Sequence, residues 1–151
     1  MEKTQTLEKT VTLKARTGLD PQEALVCTMV LIAAAEGEIT DREIGVMAGI
    51  VQTLPVFHDF SPDRLDHATE ATIALLDEDD GLTHAGRLIR DALEPRLRET
   101  AYALGCEVVA ADRFAAQESL RMLAFLRTEL ALDPLVATAI ERGARARFQQ
   151  V

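Results

Sequence analysis

The chain has 151 residues, and 48% of them are hydrophobic, so it is long enough for one domain with a buried core. That hydrophobic fraction also argues against disorder over most of its length. Only 4% of the residues are aromatic and the formal net charge is −9, which argues against a nucleic-acid partner. The acidic balance instead favours a cation or a basic surface of another protein.

The first part of the chain differs from the rest in charge. Residues 1–18 carry four basic and two acidic groups and have no apolar segment of the kind found in secretory signals. We predict that residues 1–18 form a flexible leader and that residues 19–151 form a single helical domain. The net negative charge is then carried by the helical domain.

The first predicted helix begins with Asp20 at the N-cap and Pro21 at the first helical position, and it ends at Gly37. Residues 24–35 are apolar nearly all round, which predicts a central, buried helix. This run covers twelve residues, whereas crossing a bilayer takes about 20. We therefore predict no transmembrane segment and a cytoplasmic location.

The remaining helices follow from caps and helical spacing. Thr40 and Glu43 predict a capping box at the start of the second helix, and Pro55 ends that helix. The acidic residues 77–80 lie at the predicted end of the third helix, where they oppose the helix dipole and favour fraying or a cationic partner. The later helices are predicted over residues 62–81, 83–93, 95–111, 116–130 and 133–148.

Two cysteines, Cys27 and Cys106, are too few for a disulfide framework, and both lie in apolar stretches. We interpret them as small hydrophobic core residues, which fits a reducing compartment.

The two halves of the chain share a motif. A shift of 76 residues places the Ala-Ala-Ala-Glu stretch that ends at Glu36 on the Val-Ala-Ala-Asp stretch that ends at Asp112. The apolar positions of the helices that follow agree as well, except that Val51 meets Arg127. The helices taken in chain order predict an all-α fold of about seven helices, and these correspondences predict two pseudo-symmetric helical-hairpin halves forming one bundle. The alternative is a coincidence between amphipathic helices, which share a period in any case.

The stretch Ala-Ala-Ala-Glu-Gly-Glu-Ile-Thr-Asp-Arg-Glu at residues 33–43 resembles the first motif of the TerB (tellurite resistance B) family, Ala-Ala-Asp-Gly-x-Ile-x-x-x-Glu. Residues 109–112 with 120–132 resemble its second motif, and residues 88–102 resemble its bacterial single-domain branch. The chain departs from the pattern at Glu36, where the family usually has Asp, and at Arg113, which replaces a Gly. It departs again at Ser119, which stands where the first half has Glu43.

The resemblance implies a seven-helix accessory protein of the tellurite and chemical stress response. Such a protein would work with other stress-response proteins in a complex near the inner membrane, with no established catalytic activity. The resemblance also implies that the shared acids bind metal.

Four acids are the candidate metal ligands, namely Glu36, Glu43, Asp112 and Glu118. Gly37 turns the chain between Glu36 and Glu43, so their carboxylates can approach each other. Clustered carboxylates suit Ca²⁺ or Mg²⁺ rather than a structural zinc ion. The alternative interpretation makes these acids helix caps and turn residues, because Glu43 already belongs to a capping box. If a metal site exists, we expect the first half of the chain to dominate it.

Nothing in the sequence predicts an enzyme. His58, His67 and His84 are scattered, and the chain contains no Gly-rich phosphate loop, His-Glu-x-x-His or Gly-x-Ser-x-Gly motif. We favour two hypotheses over a third, which is that the protein is an uncharacterised hydrolase. One is a TerB-like accessory protein that binds a divalent cation through acids at the hairpin turns. The other is a helical interaction module without a ligand, whose acidic face docks a basic partner.

Overall fold

The computed structural model describes residues 18–111 and 116–151, and in these residues all regular structure is helical. The prediction of an all-α bundle is confirmed, and the described residues contain seven α-helices. The helices are α1 (Pro21–Ala33), α2 (Asp41–Thr53), α3 (Pro62–Leu76), α4 (Gly81–Ala92), α5 (Pro95–Ala111), α6 (Gln117–Glu129) and α7 (Pro134–Arg147). The predicted leader, apart from Gly18, lies outside the described residues.

Helix α1 forms the centre of the bundle, as its sequence predicts. The Asp20 carboxylate accepts a hydrogen bond from the Glu23 backbone N–H at 2.8 Å, and the Glu23 carboxylate accepts one from the Asp20 N–H at 3.2 Å. This reciprocal box fixes the helix start. Every residue from Glu23 to Ala33 is buried, and α1 packs against α2, α3, α4, α5 and α6. No helix in residues 18–111 or 116–151 is long and apolar enough to cross a membrane.

A short 3₁₀ helix (Pro55–Phe57) connects α2 to α3 and is held against the start of α1. The Gln22 side-chain amide donates to the backbone carbonyls of Val56 and His58, at 3.0 Å each. Arg64, in the first turn of α3, pairs with the Asp20 carboxylate at 2.8 Å. The connection is therefore tied to the N-terminus of the central helix.

Helices α2 and α6 correspond under the shift of 76 residues, since both cover thirteen residues at matching positions. Each helix buries fewer of its apolar residues than the helical spacing of those residues predicts. Ile44 keeps 48% of its surface exposed and Leu120 keeps 52%. Both lie near the starts of their helices, where about half of each residue's surface remains open to solvent. A spatial two-fold relation between the halves stays a prediction.

The junction between α3 and α4 differs from the predicted one. Helix α3 ends at Leu76 rather than continuing through the acids, and α4 begins at Gly81 rather than Thr83. Asp80 adopts a left-handed conformation with φ of 56°, which turns the chain directly into α4. The acidic residues 77–80 therefore lie between the C-terminus of one helix and the N-terminus of the next. The positive end of the α4 dipole offsets part of the unfavourable effect at the end of α3.

Candidate functional site

Glu36 lies in the turn between α1 and α2, and its carboxylate reaches the start of α6. One oxygen, Oε1, accepts a hydrogen bond from the Ala116 backbone N–H at 3.0 Å and another from the Ser119 hydroxyl at 2.9 Å. The Glu36 residue is exposed, whereas Ser119 keeps only 6% of its surface exposed. Gly37 turns the chain after Glu36 with φ of 128°, a conformation that side-chain-bearing residues rarely adopt. The candidate metal ligand Glu36 thus acts as the cap of a helix in the other half of the chain.

Glu43 caps its own helix, which confirms the predicted capping box. Its Oε1 accepts from the Thr40 backbone N–H at 3.0 Å and from the Thr40 hydroxyl at 2.8 Å. The Thr40 hydroxyl in turn accepts from the Glu43 backbone N–H at 3.2 Å. All contacts of this box lie at the start of α2 itself, so its cap is supplied by neighbouring residues.

The N-cap residues of α2 and α6 have nearly the same backbone conformation but different side chains. Thr40 has φ of −77° and ψ of 158°, and Ala116 has φ of −73° and ψ of 160°. Ala116 offers no side-chain acceptor, and Ser119 lacks the carboxylate that Glu43 provides. The carboxylate that receives the N-cap N–H therefore comes from Glu36, 80 residues earlier in the chain.

Three of the four predicted metal ligands, Glu36, Glu43 and Glu118, lie within the described residues. Glu36 and Glu43 serve different helices, and Glu118 is exposed in the first turn of α6, where an acid suits the helix dipole. Asp112 lies outside the described residues. Within residues 18–111 and 116–151, no group of three or more His, Cys, Asp or Glu side chains is arranged to hold a metal ion. The metal site stays a prediction that depends on Asp112.

The histidines do not form a cluster in the described part of the chain. His58 and His67 are exposed, on the connection before α3 and on α3 itself. His84 Nδ1 lies 3.7 Å from the Glu78 carboxylate, and both side chains are roughly half exposed. This pair joins α4 to the acidic residues 77–80.

A polar cluster that the sequence did not indicate connects α5, α6 and α7. The Tyr102 hydroxyl donates to the Glu141 carboxylate at 2.5 Å, and Arg127 pairs with the same oxygen at 3.3 Å. Burial, followed by the hydrogen bond to Glu141, raises the pKa of Tyr102 above its usual value. Tyr102 is the chain's only tyrosine and lies on an apolar helix face, so its hydroxyl needs a buried partner. The sequence could therefore have predicted a hydrogen-bond partner for Tyr102, but it could not have identified that partner as Glu141.

The two cysteines are buried, as predicted. Burial raises the pKa of the Cys27 thiol to about 11. Burial, and then the negative charge of Glu141, raises the pKa of the Cys106 thiol to about 12. Both side chains therefore stay protonated near neutral pH and are poor nucleophiles.

No known protein family, curated protein or solved structure matches the chain. The resemblance to the TerB family therefore remains a prediction from the two motifs.

Proposed function

We propose that the protein is an acidic helical module that docks a basic surface of another protein. In this role it acts as a cytoplasmic accessory protein of the kind that the TerB resemblance implies. The observation that supports this proposal most directly is the acidic turn, defined as residues 77–80. All four of its side chains are exposed, and their only ion pair within the described residues is the one between Glu78 and His84.

Two electrostatic effects act on a basic partner that binds at the acidic turn. A guanidinium placed there would neutralise adjacent carboxylates that repel one another, and its attraction to the negative C-terminus of α3 would be offset in part by the positive N-terminus of α4. Exposed ion pairs are screened by water and contribute about 0.2–1 kcal/mol each. Several of them acting together mainly steer association and set its specificity, so the interaction should weaken as salt is added.

The acids at the hairpin turns support the same proposal because they already have structural partners. A ligand or partner that engaged Glu36 or Glu43 would compete with the helix caps they form. By contrast, Asp80 of the acidic turn precedes α4 without a side-chain cap hydrogen bond, and no helix of the described residues is capped by a side chain of that turn. This difference favours residues 77–80 as the docking surface.

The test uses octa-arginine as a defined basic probe at low ionic strength. We expect Asp77→Asn/Glu78→Gln/Asp79→Asn to raise the Kd about tenfold, which three lost exposed pairs would cause. The control Asp41→Asn/Glu99→Gln/Glu118→Gln changes the net charge equally at exposed acids elsewhere and should leave the Kd within a factor of about two. Equal weakening in both variants would show that only total charge matters and would refute a localised docking surface.

A divalent-cation site at the hairpin turns is the competing proposal. Two observations favour it. Within the described residues both caps use only the Oε1 atom of the glutamate, and the Glu36 residue is exposed. Titration with Ca²⁺, Mg²⁺, Mn²⁺ and Zn²⁺ while recording NMR amide shifts distinguishes the two. A cation site predicts shifts near Glu36 at millimolar concentration that Glu36→Gln abolishes. Shifts confined to the acidic turn would contradict it.

A further inference from the structure

The start of α6 depends on a residue outside its own helical hairpin. Its N-cap residue, Ala116, has a methyl group where Thr40 has a hydroxyl, and Ser119 uses its own hydroxyl as a donor to Glu36. The first turn of a helix has backbone N–H groups without partners inside the helix. At α6, the acceptor for the N-cap N–H is supplied by the α1–α2 turn.

We propose that Glu36 is a conformational latch between the two hairpins, which orders the first turn of α6 only while its carboxylate caps that turn. A change at the α1–α2 turn that withdraws or neutralises this carboxylate then loosens the start of α6. The latch is a property of the contacts between Glu36, Ala116 and Ser119, and it does not rest on the proposed docking function.

The packing of α6 limits the loosening to its first turn. Leu123 and Leu126 are buried, and Leu123 lies against Gly105 of α5, with its Cδ2 atom 3.3 Å from the position that a Cβ on Gly105 would take. Leu120, one turn earlier, keeps 52% of its surface exposed. The apolar contacts therefore hold the helix from Met122 onward, and the cap determines the order of the first turn of α6.

Amide hydrogen exchange measured by NMR tests the latch, because the chain contains its own reference helix. The Leu120 N–H bonds to the Ala116 carbonyl at 3.3 Å, and the matching Ile44 N–H bonds to the Thr40 carbonyl at 3.0 Å. We expect Glu36→Ala to speed exchange at Leu120 about fivefold, the factor that corresponds to loss of a typical N-cap. Exchange at Ile44 should not change, because α2 is capped by its own residues.

Two further variants separate a cap from a general charge effect. Glu38→Ala removes an exposed acid from the same turn and should leave exchange at Leu120 unchanged. Ala116→Ser places a local acceptor at an N-cap whose backbone angles already match those of Thr40. In the Ala116→Ser background, Glu36→Ala should change exchange at Leu120 less than about twofold.

Each of the opposite results overturns the latch. Unchanged exchange at Leu120 in Glu36→Ala would show that the start of α6 does not need the carboxylate. Equal acceleration in Glu38→Ala would assign the effect to charge alone. If Glu36→Ala disrupts folding, the Ala116→Ser/Glu36→Ala protein still decides the question, because failure of the serine to restore protection at Leu120 refutes a cap.

Discussion

Replacing Gly81 by Ala should destabilise the fold strongly, although the backbone conformation at Gly81 is one that alanine can adopt. Its φ is not in the left-handed region, so the penalty is steric rather than conformational. A Cβ added at Gly81 would lie 2.2 Å from the carbonyl oxygen of Leu75 and 3.0 Å from the Cα of Leu76. Both atoms belong to the backbone at the end of α3, so no side-chain rotation can relieve the overlap.

The size of the effect follows from this distance. Non-bonded heavy atoms prefer separations of about 3.5 Å or more, and the added Cβ would lie 2.2 Å from the Leu75 oxygen, so the junction between α3 and α4 would have to open by more than about 1 Å. Forcing atoms into a packed interior costs about 1–3 kcal/mol, and the upper end applies because the obstacle is backbone. For a chain of this length, about 3 kcal/mol lowers the Tm by roughly 10 °C.

Gly45→Ala is the matched control, because it makes the same chemical change in an open position. Gly45 is exposed inside α2, and nothing lies within 4 Å of the added Cβ. Alanine is favoured over glycine in a helix interior by about 0.5–1 kcal/mol, so Gly45→Ala should raise the Tm by about 2 °C. Calorimetry of both variants checks the pair, and a Gly81→Ala protein as stable as the natural one would refute the close approach of Leu75.

Three other predictions concern the buried polar groups and thiols. Tyr102→Phe keeps the ring but removes the donor to Glu141, and it should lower the free energy of unfolding in urea by about 1 kcal/mol; an unchanged midpoint would show that Arg127 alone satisfies the carboxylate. Burial raises the thiol pKa values in the folded protein to about 11 for Cys27 and about 12 for Cys106, from 9.0 in the unfolded chain. The contribution of the two neutral thiols to stability should therefore be fully present below pH 9 and be lost as the pH rises from there towards those values. Cys27 alone should contribute a loss of about 2 kcal/mol by about pH 10.5, so Cys27→Ala should flatten the measured decline. At about pH 8, both thiols should react with a disulfide reagent only as fast as the protein opens, and immediate modification of the native protein would contradict their burial.

The starts of several helices could be predicted because they depend on neighbouring residues. Pro21, Pro62 and Pro134 each follow a capping residue, and α1, α3 and α7 begin at these prolines. The centrality of α1 could be predicted for a related reason, since a helix that is apolar on every side has to be surrounded.

The wrong predictions concern features that depend on geometry rather than on residue type. Helical spacing identifies an apolar stripe but not how much of it a neighbour covers, so the exposure of Ile44 and Leu120 was missed. Gly81 suggested that the third helix continues to that residue. Instead α3 ends at Leu76, and the left-handed conformation of Asp80 lets α4 begin at Gly81.

The cap on α6 could not be predicted at all. Ala116 offers no polar side chain as a signal, and Glu36 lies 80 residues away. The link from Tyr102 to Glu141 has the same character, because it joins two helices across 39 residues. Contacts of this kind follow from tertiary packing, which local sequence patterns do not encode.

The central position of α1 has a consequence for how the two similar halves can vary. Because α1 contacts α5 and α6 as well as α2, α3 and α4, the core is shared between the halves rather than divided between them. A fragment that ended after α4 would leave one side of α1 in water, so neither half is a module that can be exchanged independently. A substitution on α1 therefore has to suit residues from both halves of the sequence at once, and the boundary between these halves is not a boundary between units of folding.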